Sequence, residues 1–136
     1  MPDINDLTYN IIGAAIEVHR QMGPGLLESV YQECLAVEME ARDIPFVREK
    51  RLPLLYRGKP LDADYRVDFL CYGEIILELK AQQRIEPVHR AQLLSYLRLS
   101  GKHLGLLLNF HVEVMMNGVH RVINGHPPKE ILSATP

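Results

Sequence analysis

The alternation of apolar and polar positions divides the chain into helical and extended stretches. Across residues 4–21, Ile4, Leu7, Ile11, Ile12, Ala15, Ile16 and His19 recur at three- and four-residue steps, the spacing of one helix face. Asp3 is placed to cap its start. "MGPG" interrupts the pattern, with Gly23 suited to a helix end and Pro24 to the first turn of the next helix. A second helix is predicted over 25–42, where Leu27, Val30, Tyr31, Cys34, Leu35 and Val37 form a broad apolar face. Pro45 ends it by disfavouring helix at the residue before it. "FVREKRLPLLY" then reads as a strand, with Pro53 marking an edge or a bulge, and "RGKP" as a turn. "DYRVDFLCY" and "EIILELKA" carry the β-branched and aromatic residues of two further strands. Helix returns over 86–100, with Pro87 in its first turn and Gly101 as its stop. "HLGLLLNF" is apolar on every side, the signature of a strand buried on both faces. "VEVMMNGVHRVI" holds an Asn-Gly pair between apolar runs, which predicts a hairpin. The tail 124–136 is expected to be irregular or briefly helical.

The predicted order is α-α-β-β-β-α-β-β, an α/β fold with a mixed sheet flanked by helices. No repeat or linker divides it, so residues 1–136 are expected to form one domain. A hydrophobic content of 47% supports a real core. The net charge of −2 gives no global basic field, so contact with nucleic acid has to come from a local patch. It sets against a tight non-specific binder of DNA and leaves room for an enzyme that meets phosphate through metal ions. Cys34 and Cys71 lie in apolar surroundings without metal-ligand spacing, and read as small buried side chains. The first ten residues are acidic and polar, unlike a signal peptide, and no apolar run reaches ~18 residues. The expected setting is the cytoplasm, with no membrane partner.

Candidate chemistry lies in "YRVDFLCYGEIILELKA", residues 65–81. Side chains alternate along a strand, so Glu78 and Lys80 share a face and Leu77, Leu79 and Ala81 take the other. Asp68 shares a face with Arg66 and Leu70, and Tyr65, Val67, Phe69 and Cys71 take the opposite one. The turn length decides how the two strands combine. A two-residue loop at Tyr72-Gly73 pairs Asp68 with Leu77 and puts the carboxylates on opposite faces. A loop of 72–74 sets Asp68 directly across from Glu78, and a loop of 71–73 sets it diagonally. Gly73 supplies the positive φ that three-residue hairpin loops require, so the expectation is an odd loop with Asp68, Glu78 and Lys80 converging.

Two partly buried carboxylates side by side repel one another, and a divalent cation removes that penalty. Oxygen donors suit Mg²⁺ or Mn²⁺. Lys80 would hold and polarise a water beside the metal, the equipment for hydrolysing a phosphodiester. The same residues also fit a solvated strand face with a surface ion pair of little energetic consequence.

Three other segments weigh on that choice. "GPGLLESVY" places Gly25, Glu28 and Tyr31 in a G-x-x-E-x-x-Y pattern. "YRVDF" precedes "ELK", and "QLLSY" puts Gln92 and Tyr96 four apart on one helix face. Together with "EVHRQMGPG" and "LLLNF", these motifs resemble the GxxExxY protein family of the PD-(D/E)XK nuclease-like superfamily, over residues 4 to 124. The resemblance implies a restriction-endonuclease-like fold with a core order of α-β-β-β-α-β. It implies that Asp68 and Glu78 bind the metal, that the carbonyl of Leu79 adds a ligand and that Lys80 is the catalytic lysine. Glu28 fits the acidic residue of the early helix that assists the metal or its waters. Gln92 and Tyr96 match a Q-x-x-x-Y motif that orients the active site or contacts DNA.

The expected function is therefore a metal-dependent nuclease acting on phosphodiester bonds of nucleic acid, DNA first. The alternative is a non-catalytic nucleic-acid-binding or homo-oligomeric assembly module that keeps the nuclease fold, with "HLGLLLNF" and "VEVMM" feeding its interface. Another phosphate-containing substrate would be served by the same site. Glu28 is expected to be partly buried by Leu27, Val30 and Tyr31. His19 is expected to cap its helix through the dipole, with a place in the cleft as the other choice. Arg66 and Arg84 are candidates to grip a phosphate. The remaining histidines, His89, His103, His111, His120 and His126, show no zinc-ligand spacing.

Overall fold

A computed structural model describes residues 3–125, the side chain of Asp64 excepted. Helices α1 (Ile4–Met22) and α2 (Glu28–Ala41) precede strands β1 (Phe46–Tyr56), β2 (Lys59–Cys71) and β3 (Ile75–Lys80). Helix α3 (Pro87–Ser100), strand β4 (Leu104–Asn109), a 3₁₀ turn (Met115–Gly118) and strand β5 (Val119–Ile123) complete the order. The strands form one sheet in the order β1-β2-β3-β4-β5, antiparallel except for the central β3–β4 pair. That parallel pair requires a crossover, and α3 provides it. The expected α/β architecture is the one observed.

Both faces of the sheet are covered. Ile11, Ala14, Ala15 and Val18 of α1 and Tyr31, Leu35 and Met39 of α2 pack on Leu77, Leu79, Leu106 and Leu108. Leu93 and Leu97 of α3 pack on Ile76, Leu107 and Val122 on the other side. Every residue of β4 is buried, which explains why "HLGLLLNF" lacks a polar face. It also removes this strand from any oligomer interface. Gly105 lets α3 approach closely, because a Cβ there would lie 2.9 Å from Leu93 Cδ2.

Local signals act where they were expected. Asp3 and Asp6 form a reciprocal capping box at the start of α1, and Gly101 ends α3 in the left-handed region at φ 74°. The β1–β2 ladder shifts register between Pro53 and Leu55, on the edge strand where Pro53 is tolerated. Cys34 and Cys71 are free thiols, with Cys71 buried and Cys34 half-buried.

Four expectations change. Pro24 does not open α2: residues 23–27 are a loop, and the helix starts at Glu28 with Leu27 as its N-cap. Leu27 and Val37, counted toward the apolar face, are exposed, because Tyr31, Leu35, Ala36 and Met39 already fill the stripe against the sheet. Asn117-Gly118 is not a hairpin tip. It lies in the 3₁₀ turn, and residues 110–118 make a long connection between antiparallel β4 and β5. Gly118 is needed there for contact rather than for turn geometry, since a Cβ would fall 1.9 Å from the Asn109 carbonyl oxygen. His19 neither caps α1 nor faces a cleft. It is buried, and its Nε2 lies 2.6 Å from the Val112 carbonyl, tying α1 to that connection.

Gly118→Ala is expected to destabilise the fold by about 2 kcal/mol or more, because the clash is with backbone that cannot rotate away. Urea unfolding of the variant against the parent measures it. An unchanged midpoint would mean that the 3₁₀ turn is free to move.

Candidate active site

The β2–β3 hairpin has the odd loop. Cys71 pairs with Ile75, leaving Tyr72, Gly73 and Glu74 as the turn, with Gly73 at φ 71° and Tyr72 at φ 55°. The ladder runs through Leu70↔Ile76 and Phe69↔Leu77 and stops there. The next residues in that register are Asp68 and Glu78. Instead of backbone bonds, each strand offers a side chain to the other's main chain. Asp68 N–H donates to Glu78 Oε1 at 3.3 Å, and Leu79 N–H donates to Asp68 Oδ2 at 2.7 Å. The strands part at this point without leaving those two amides unpaired.

Strict alternation along β2 fails at the same residue. Phe69 and Cys71 join the core under α1 and α2, whereas Val67 and Tyr65 join the core under α3. The β1–β2 register passes from Arg48↔Phe69 to Lys50↔Val67, and no Glu49–Asp68 pair lies between them. Glu49 sits in the left-handed region at φ 50°. This local kink turns the strands over, so the face assigned to Tyr65 and Val67 by simple alternation is the wrong one.

The kink sets the neighbours of the two carboxylates. Asp68 Oδ1 accepts from Gln32 Nε2 of α2 at 3.1 Å, and Gln32 Oε1 in turn accepts from Arg48 at 2.8 Å. Glu78 is buried and accepts a hydrogen bond from the Tyr65 hydroxyl. The Tyr65 ring stacks on Tyr96 of α3, with centroids 3.5 Å apart and planes within 13°. Gln92 Nε2 lies 3.5 Å from the Tyr96 hydroxyl. Gln92 and Tyr96 therefore share a helix face as expected, and they reach the carboxylates through Tyr65.

Burial is the main reason that Glu78 is held protonated up to about 7, and the charge of Asp68 adds to it. The Tyr65 hydroxyl, the Asp68 N–H and the charge of Lys80 oppose the shift. Asp68 is also raised, mainly by burial, against the bonds from Leu79 and Gln32. Glu28 and Glu49 push it further in the same direction. Burial and the two carboxylates raise Tyr65 as well, so it stays a hydroxyl donor.

Glu28 occupies the first position of α2 and is exposed, not half-buried, and Leu27 before it is itself exposed. Its Oε2 accepts from Ala81 N–H at 3.3 Å, just past the end of β3. Tyr31 sets the loop that leads into Glu28. Its hydroxyl donates to the Gly23 carbonyl at 2.5 Å and accepts from Leu26 N–H at 3.2 Å, while its ring stacks on Phe110. The G-x-x-E-x-x-Y motif is thus a buried tyrosine that holds its own approach loop and places a carboxylate one turn earlier.

Lys80 is half-buried and pairs with Asn109 in the parallel ladder. Asn109 is buried and fastens the chain beyond Lys80, donating to the Gln82 carbonyl at 2.8 Å and accepting from Gln82 N–H at 3.1 Å. Leu79 lies between Glu78 and Lys80 with its side chain buried. Among the described residues no three of His, Cys, Asp and Glu converge on one point, so the acidic donors here are the Asp68–Glu78 pair with Glu28 at the rim. Arg66 pairs with Glu49 at 3.5 Å and Arg84 with Glu86 at 3.1 Å, both at the surface.

Comparison with protein-family models matches residues 5–122 to the PD-(D/E)XK nuclease superfamily. The chain belongs to that superfamily. No curated protein matches it. Among the described residues of this superfamily domain, no helix is long and apolar enough to cross a membrane. Sequence reasoning missed Gln32, Glu49 and Asn109, and it put Tyr65 on the wrong face. Each is an ordinary polar residue whose role depends on the kink at Asp68 or on the β3–β4 pairing.

Two measurements probe this arrangement. Without added metal, the raised Glu78 makes the folded state bind a proton that the unfolded state releases near its ordinary value of 4.5. Stability from this group is therefore complete below about 4.5 and falls as pH rises to about 7, by up to roughly 3 kcal/mol. Urea unfolding of Glu78→Gln is expected to remove that decline and to exceed the parent in stability at pH 8. Equal pH dependence in the two proteins would contradict it. Tyr31→Phe leaves the Gly23 carbonyl and the Leu26 amide without their bridge, and is expected to cost about 1–2 kcal/mol in the same assay.

Proposed function

We propose that this chain is a divalent-metal-dependent nuclease of the GxxExxY branch, hydrolysing phosphodiester bonds in DNA. The observation that carries the reading is the meeting of Asp68 and Glu78 across the parted strands, with Lys80 two residues further along β3. The donor set fits Mg²⁺ or Mn²⁺. Such ions accept one or two carboxylates and complete their shell with waters and substrate phosphate, so a third acidic ligand is not required.

In this reading Asp68 and Glu78 hold the ion, the Leu79 carbonyl adds a main-chain donor, and Glu28 holds waters at the rim. When bound, the ion offsets charge on the phosphoryl oxygens and lowers the pKa of a coordinated water. Lys80, two residues beyond Glu78 on β3, orients the attacking water and stabilises the developing negative charge. Tyr65 donates to one oxygen of Glu78 and so fixes which lone pairs face the ion. Gln32 does the same for Asp68. Gln92 and Tyr96 brace Tyr65 and border the path of the substrate.

Labelled duplex DNA incubated with Mg²⁺ or Mn²⁺ is expected to be cleaved. Lys80→Ala and Asp68→Asn are expected to lose about 100-fold or more in rate while keeping the fold. Cleavage that survives both substitutions would reject the assignment. A folded protein with no calorimetric affinity for either ion, with or without DNA, would instead favour the non-catalytic module.

A further inference from the structure

The β1–β2 ribbon has a part that the proposed reaction leaves unused. β3 pairs with β2 only from Phe69 to Cys71, whereas the β1–β2 ladder continues to Tyr56↔Lys59. Leu52 and Tyr65 anchor its base in the core under α3. Beyond them the two strands run on to a two-residue turn at Arg57-Gly58, with φ of 53° and 76°. Both values are positive, as a primed hairpin turn requires.

Charge is concentrated on this ribbon. Residues 46–66 carry six Lys and Arg against three Asp and Glu, and the rest of the chain carries nine against fourteen. The side chains of Lys50, Arg57 and Lys59 are exposed and have no hydrogen-bond or ion-pair partner among the described residues. Tyr56 is 64% exposed beside them, and Leu55 and Leu61 are open to solvent as well. A ribbon that only completed the sheet would need neither the cations nor the aromatic ring at its tip.

Its root gives the ribbon a direction of use. β1 covers the distance from Arg48, the partner of Phe69, to Tyr56 at the turn in eight residues, up to about 26 Å at the rise of an extended strand, and β2 takes up two more in its register shift. Duplex DNA advances about 3.4 Å per base pair along each strand, so the arm can reach roughly eight base pairs from the carboxylates. A two-stranded ribbon also fits the major groove, which is about 12 Å wide.

We propose that the ribbon tip, Tyr56, Arg57 and Lys59 with Lys50 behind them, is a second nucleic-acid contact that holds duplex phosphates roughly eight base pairs from the reactive centre. The choice of partner rests on the nuclease reading. Arg57 presents a fork to phosphate oxygens, Lys59 a point charge, and Tyr56 an aromatic edge to sugar or base. A second copy of the chain is the less suited occupant. The carboxylates of its α1–α2 face, Glu17, Glu33 and Glu38, are already paired with Arg20, Arg48 and Arg42.

The test compares the parent with Arg57→Gln/Lys59→Gln and with Arg57→Glu/Lys59→Glu, each checked for fold by circular dichroism. Binding to a labelled duplex of about 24 base pairs is followed by anisotropy in EDTA across a salt series. Loss of two phosphate contacts is expected to make the slope of log K against log salt shallower by about 1.8 in the Gln variant, and the charge reversal is expected to bind more weakly still. Cleavage in Mg²⁺ of a substrate of about six nucleotides, too short to reach the tip, is expected to stay at the parent rate. Parent-like affinity and slope in both variants would overturn the arm, as would a parent with no salt-dependent binding. A parent dimer in sedimentation that the charge reversal dissolves would also overturn it, by making the tip a self-interface. The two readings separate cleanly. Cleavage with tip-independent binding rejects the arm alone, and tip-dependent binding without cleavage rejects the nuclease alone.

Discussion

The site depends on an exchange of hydrogen bonds between neighbouring strands. Where β2 and β3 part, the amides of Asp68 and Leu79 find carboxylate oxygens in place of carbonyls. The exchange lets the sheet open without orphaned amides, and it brings two acidic groups together at the opening. Burial and mutual repulsion then keep a proton on Glu78 to about 7. A sheet that carried its backbone ladder through this point would have neither the gap nor the electrostatic tension that a cation relieves.

Each face of the sheet sends one polar group to the opening. From the α2 side Gln32 reaches Asp68, itself steadied by Arg48. From the α3 side Tyr65, stacked on Tyr96, reaches Glu78. On the parallel side, Asn109 holds the chain that leaves Lys80. The helices on both faces thus determine where the two carboxylates point, α2 directly through Gln32 and α3 through Tyr96 stacked on Tyr65. The stacked ring pair adds about 0.5–1.5 kcal/mol beyond its burial, which helps to keep the Tyr65 hydroxyl in place.

Much of the fold was legible because the signals were local. The Asp3 cap, the Gly101 stop, the fully apolar β4 and the three-residue turn around Gly73 each follow from chemistry within a few residues. The pairing of Asp68 with Glu78 was legible for the same reason, since it needs only strand parity and a loop length. What escaped was long-range. Simple alternation assigns Tyr65 to the wrong face because β2 kinks at Asp68, where its ladder with Glu49 of another strand is broken. Pro24 reads as a helix start until the Tyr31 hydroxyl is seen holding residues 23–26 as a loop. Asn117-Gly118 has the composition of a hairpin tip, but the constraint on Gly118 is the Asn109 carbonyl pressed against it. Polar residues such as Gln32 and Asn109 carry no periodic signature, so only the packed structure separates them from ordinary surface positions.

The self-contained ladder beyond Leu52 and Tyr65 has a consequence for how this domain can vary. Residues added or removed there two at a time on each strand preserve which side chains point to which side, because the pleat repeats every two residues. Reach can therefore change in steps of about 7 Å with no displacement of the carboxylates or the helices. The reach of the ribbon and the geometry of the carboxylate pair are separable variables of one chain.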